Sequence, residues 1–92
     1  MQSYLAESYV ARPRAADVPA RERRARTAAK QLRRQGIAVR FVHSILVPAD
    51  EICFYVFEAV SADAVRAACD RAALRFERIV EAVDSREEEE GR

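Results

Sequence analysis

Three features of the chain predict an α+β domain. Runs rich in β-branched and aromatic residues alternate with alanine- and arginine-rich stretches of helical period. Proline, aspartate and serine punctuate the changes from one to the other. The 92 residues make one small domain, in which roughly 60–65% of the chain's surface can be buried, so that a partner subunit would add to a modest core. Half of the residues are hydrophobic, but much of that content is alanine.

The first strand is expected over residues 3–11, "SYLAESYVA", where Tyr4, Leu5, Tyr9 and Val10 suit a pleated surface. Arg12-Pro13-Arg14 ends it, because proline cannot donate to a ladder. Asp17 is placed to cap a helix from Val18 to Gln35, with Pro19 in its first turn and Gly36 just past its end. Val18, Ala25, Ala28, Ala29 and Leu32 form its buried stripe, and the small side chains permit a close approach to whatever supports it.

A long second strand covers 37–47, "IAVRFVHSILV"; "PADE" turns the chain, and a third strand covers 52–59, "ICFYVFEA". Ser61 caps a second helix over about 62–73, with Asp63 in its first turn and Val65, Ala68, Cys69 and Ala72 at the i, i+3, i+4, i+7 positions. A fourth strand follows in "FERIVEAV", 76–83. Residues 1–84 thus form the domain, and 85–92, with four consecutive glutamates and no apolar side chain, are expected to be a disordered acidic tail. The β-α-β-β-α-β order folds most simply into a ferredoxin-like sandwich, a four-stranded antiparallel sheet with both helices on one face.

These elements carry a resemblance. Cys53, Phe57, Glu58 and Ala59 at a strand end, Ser61, Ala62, Ala64 and Val65 at a helix start, Ile79, Glu81 and Val83 in the last strand, and Tyr4, Leu5 and Glu7 in the first are similar to the small ferredoxin-like domains related to the actinobacterial nickel-binding protein. The likeness covers residues 3–83 and implies the same fold. The nickel-binding branch carries histidines on the first strand, the second helix and the last strand. The matching stretches here, "YLAESY", "AACDRAAL" and "RIVEAV", contain none, so nickel is not expected and no other cofactor can be named.

The single histidine, His43, alternates with Phe41 and Ile45 on strand two, while Val42, Ser44 and Leu46 take the other face. Both faces are apolar, and the helices can cover only one. The open face is therefore assigned Phe41, His43 and Ile45, together with Leu5, Glu7 and Tyr9, because a charge in mid-strand is costly beneath two helices. Arg78 is placed to pair with Glu7. Two uses of this face follow. Glu7, His43, Tyr55 and Arg78 can hold an anion, a small polar ligand or, through His43, a metal. Leu5, Tyr9, Phe41 and Ile45 can form a homodimer interface, with the polar groups as its hydrogen bonds.

Other chemistry is not encoded. Cys53 and Cys69 are too few and too far apart for a tetrahedral metal centre, and the helical stripe makes Cys69 a packing residue. The chain holds 15 arginines to one lysine, and Arg23, Arg26, Lys30, Arg33 and Arg34 line one helix face. Without a basic and aromatic sheet this is a solvated face or a docking site for acidic partners rather than a nucleic-acid footprint. With only Gly36 and Gly91 there is no phosphate loop, and no catalytic residue can be placed. The absence of a leader pattern or a long apolar run, with two unpaired cysteines, points to the cytoplasm and away from membranes. The expected role is a homodimer binding a small ligand or metal at its open sheet face. An interaction module using the basic helix is the alternative, and a cofactor-free enzyme built on a dimeric fold of this kind stands third.

Overall fold

Four strands and two helices form in the expected order in a computed structural model, which describes residues 1–83 and Ser85. They are β1 (Gln2–Tyr9), α1 (Val18–Arg34), β2 (Val39–Val47), β3 (Ile52–Ala59), α2 (Ala62–Arg71) and β4 (Arg78–Ala82). Single 3-10 turns at Ala15–Asp17 and Pro48–Asp50 lead into α1 and β3. The sheet is antiparallel with strand order β2-β3-β1-β4, and both helices pack on one face of it, as in a ferredoxin-like sandwich. The acidic tail expected at 85–92 lies, apart from Ser85, outside the described residues.

Strand pairing decides which side chains face the helices. Tyr4 stands opposite Phe57, Ala6 opposite Tyr55 and Ser8 opposite Cys53. All but Ser8, a buried polar residue at the margin, join Val39, Phe41 and Ala59, Ala25, Ala28, Ala29 and Leu32 of α1, and Val65, Ala68 and Cys69 of α2 in one core. The intervening residues point away from the helices, as the two-residue period of a strand requires. Alanines on both helices let them lie close to the sheet, so the core is closed by a few large groups. Phe41 and Phe57 meet edge to face at 5.4 Å, and the guanidinium of Arg26 sits 5.1 Å from the Phe41 ring centre.

The helix ends follow local chemistry, with one departure. Ser61 caps α2, its hydroxyl accepting from the Ala64 amide at 3.2 Å. Asp17 does not cap α1: the preceding 3-10 turn leaves it in a helical backbone conformation, and its side chain bonds no backbone amide there. Both helices stop in the same hydrogen-bonded motif. Ile37 and Gly36 donate to Leu32 and Arg33 after α1, and Leu74 and Ala73 donate to Cys69 and Asp70 after α2. The motif needs a left-handed residue, which is Gly36 (φ 88°) in the first case and Ala73 (φ 55°) in the second.

One irregularity in β2 changes the assignment of faces. Phe41 pairs with Phe57, but His43 pairs with Val56, so Val42 is an extra residue opposite a single step of β3. This bulge reverses the alternation. Before it Val39 and Phe41 face the helices, and after it Ser44 and Leu46 do.

Candidate functional site

The open sheet face is built from the residues opposite the core. Leu5 lies between Val56 of β3 and Val80 of β4, and Glu7 lies between Phe54 and Arg78. On the outer strand His43 stands beside Val56 and Ile45 beside Phe54. Ile45 is 47% exposed and Tyr9 54%, which is much for large apolar side chains in a small domain. The result is an apolar centre of Leu5, Ile45, Phe54, Val56 and Val80.

Two cross-strand ion pairs flank that centre. Arg78 donates to Glu7 through Nε and, at 3.3 Å, through Nη2. Arg40 pairs with Glu58 at the opposite corner. A mid-strand charge is tolerated here because this face carries no helix. Beside the Glu7–Arg78 pair, a shallow groove of about 340 Å³ is lined by Tyr9, Ile52 and Glu77 as well. Its rim is fixed by hydrogen bonds. The Tyr9 amide donates to Glu77 Oε2 at 2.7 Å, and its hydroxyl donates to Glu51 Oε1 at 3.0 Å. Glu51 also accepts from the Arg12 amide at 2.8 Å. That backbone bond, followed by the Tyr9 bond, holds the Glu51 carboxyl below its ordinary pKa. The bond to Glu51 and its charge raise the Tyr9 phenol.

Of the residues expected on this face, Glu7, His43 and Arg78 lie there, and Leu5, Tyr9 and Ile45 join them. Two do not. Phe41 is buried beneath α1 because the Val42 bulge turns it to the helix side. Tyr55 is also in the core, 2% exposed and paired with Ala6 on the far side of the sheet from Glu7. Burial first, and then the neighbouring Cys53, push its phenol up to about 12. A four-residue cluster of Glu7, His43, Tyr55 and Arg78 therefore does not form.

The sequence held a signal that places Tyr55. Glu58 is a charge on β3, so the reasoning that turns Glu7 outward also turns Phe54, Val56 and Glu58 outward, and their alternates Cys53, Tyr55 and Phe57 inward. Phe54, Val56 and Val80 were the missed members of the face. The donors for a metal do not gather either. Among the described residues no three His, Cys, Asp or Glu side chains form a group that could hold an ion. Cys53 and Cys69 are both free and buried. The described residues also include no helix long and apolar enough to cross a membrane.

Comparison with known proteins adds a likeness of fold. The chain is similar to SCO4226 from Streptomyces coelicolor A3(2), known from its crystal structure, with a TM-score of 0.65 and 18% identity over 87% of this chain and 94% of that one. At that identity the likeness establishes a shared architecture. It supports the fold implied by the sequence resemblance and carries neither the family nor nickel with it. No protein-family model matches the chain, and no curated protein matches it.

Proposed function

We propose that the protein works as a homodimer joined through the open faces of two sheets, and that the groove beside Glu7 and Arg78 takes a small polar ligand at the edge of that interface. The observation that carries the reading is the apolar centre of Leu5, Ile45, Phe54, Val56 and Val80, left without a helix above it.

A second copy is the occupant that suits this face. Its charges are balanced, with Arg40 against Glu58 and Arg78 against Glu7, so it has no net sign with which to select an acidic or basic partner. Three strands of eight or nine residues and one of five, at about 4.8 Å spacing and about 3.3 Å per residue, span roughly 475 Å². Two such faces would bury about 1,000 Å² in all, near the lower bound for a specific interface. The alternative, docking of acidic partners on α1, is supported less well because its arginines are partly committed. Arg24 Nε donates to the Ala72 carbonyl at 3.0 Å, Arg33 to the Val39 carbonyl at 2.9 Å, and Arg26 covers Phe41.

Light scattering across micromolar concentrations tests the reading. Wild-type protein is expected to run as a dimer, and Ile45→Glu, which places a charge in the apolar centre, as a folded monomer. A wild-type monomer at high micromolar concentration would sink the proposal.

A further inference from the structure

A second cavity lies at the other side of the sheet, where the first turns of α1, the end of β1 and the segment after α2 meet. It encloses about 330 Å³ and is lined by Arg21, Arg24 and Arg75, by Ser8 and Tyr55, and by a small apolar wall that includes Leu74. We propose that this cavity is a binding site for a doubly charged phosphate group, as in a small phosphate ester.

Four observations carry the assignment. Nη1 of Arg21 is buried and has no hydrogen-bond partner among the described residues, an arrangement that calls for an acceptor. Arg75 makes no ion pair among the described residues, and neither Arg21 nor Arg24 is paired with a carboxylate there. Glu22, next to Arg21 on α1, is instead engaged by the Ser44 hydroxyl at 2.8 Å. Arg24 is held in place by its Nε bond to the Ala72 carbonyl at 3.0 Å, which keeps its two terminal nitrogens for a ligand.

The lining selects the ligand class. Three guanidinium groups with the Ser8 hydroxyl and no carboxylate among them form a donor-rich wall, beside a Tyr55 hydroxyl already engaged by Cys53 and Arg21. Guanidinium forks match the paired oxygens of phosphate, and three positive charges favour a dianion over a singly charged carboxylate. The volume exceeds that of a bare phosphate, and Leu74 with the alanines beside it gives a short carbon skeleton an apolar surface. The site lies on the helix side of the sheet and does not depend on the dimer proposed above.

Titration of the full chain with inorganic phosphate and with glycerol 3-phosphate, at constant ionic strength and with acetate as the comparison, tests the assignment. Calorimetry should show one saturable site per chain for both phosphates and far weaker binding of acetate. Amide resonances of Ser8, Ala73, Leu74 and Arg75 should shift together in the same titration. Arg75→Gln and Arg21→Gln should each weaken binding about tenfold, as loss of a charge-assisted pair does. Arg34→Gln, on the same helix but outside the cavity, should leave it unchanged. Non-saturable binding, equal binding of acetate, or an equal loss in Arg34→Gln overturns the proposal. Because Arg75 is exposed and lies outside the helices, undiminished binding by Arg75→Gln overturns it even where Arg21→Gln fails to fold.

Discussion

Ala73 and Gly36 occupy the same position in the same helix-ending motif, and only one of them is a glycine. A side chain at positive φ crowds the following carbonyl, at a cost of roughly 1–2 kcal/mol, partly offset by the greater freedom an unfolded glycine loses. Ala73→Gly is therefore expected to stabilise the fold by about 0.5–1 kcal/mol, and Gly36→Ala to destabilise it by about 1 kcal/mol. A Cβ built at Gly36 meets nothing within 4 Å, so that change tests backbone conformation without a packing clash. Urea denaturation of both variants measures the pair, and changes of the same sign would contradict the account. The core also stores a pH dependence. Burial first, and the charge of Asp70 second, push the Cys69 thiol from 9.0 to about 12. Burial also raises Cys53, and Tyr55 titrates at about 12. All three hold their protons more tightly in the fold than in the unfolded chain. Their contribution is thus complete below the thiols' ordinary value and is lost as pH rises through the folded one, in a window from about pH 9 to 12. The urea midpoint should be level near neutrality and fall above about pH 9, with a shallower fall in Cys69→Ala.

Helix α2 is ten residues long, too short to persist without help from its ends and from packing. Its start depends on Ser61, whose hydroxyl satisfies the Ala64 amide, and Asp63 adds a favourable charge in the first turn. Ser61→Ala should cost about 1 kcal/mol in chemical denaturation. Asp17→Ala before α1 should cost far less, because Asp17 makes no capping bond to lose. Nearly equal costs would mean that Asp17 caps α1 in solution. Helix α1 is tied down differently, through arginines that reach the ends of other elements: Arg24 to Ala72 beyond α2 and Arg33 to Val39 at the start of β2. A helix with only alanines and one leucine among its buried residues gains limited hydrophobic energy, and these charged bonds, each worth about 1.5–3 kcal/mol where shielded, orient it on the sheet.

At the scale of the whole molecule the two faces of the sheet have unequal cover. One is roofed by both helices, and the other presents Leu5, Ile45, Phe54, Val56 and Val80 between balanced ion pairs. If two copies close over that surface, folding is linked to association and thermal stability depends on concentration. The melting temperature of the wild type should rise over a hundredfold increase in protein concentration, while that of Ile45→Glu should not. A concentration-independent wild-type melting curve would place the open face in solvent.

The sequence by itself determined the kinds of element and their order, because each signal is local. Pro48 and Asp50 turn the chain, Ser61 starts a helix, and the 3.6-residue spacing of Val65, Ala68, Cys69 and Ala72 defines a buried stripe. From that order the sandwich followed, and the charge on Glu7 placed β1 and its partner Arg78 on the open face. Which face Phe41 takes was decided by tertiary structure. The Val42 bulge is a mismatch between two paired strands, and no spacing within β2 alone reveals where the partner strand takes one step against two. Strict alternation then carried Phe41 to the wrong side, although Glu58 on β3 already marked Tyr55 as inward. The arginine cavity was hidden for the same reason. Arg21, Arg24, Ser8, Tyr55 and Arg75 belong to four separate segments, and only the packing of α1 and the end of α2 against the sheet makes them neighbours.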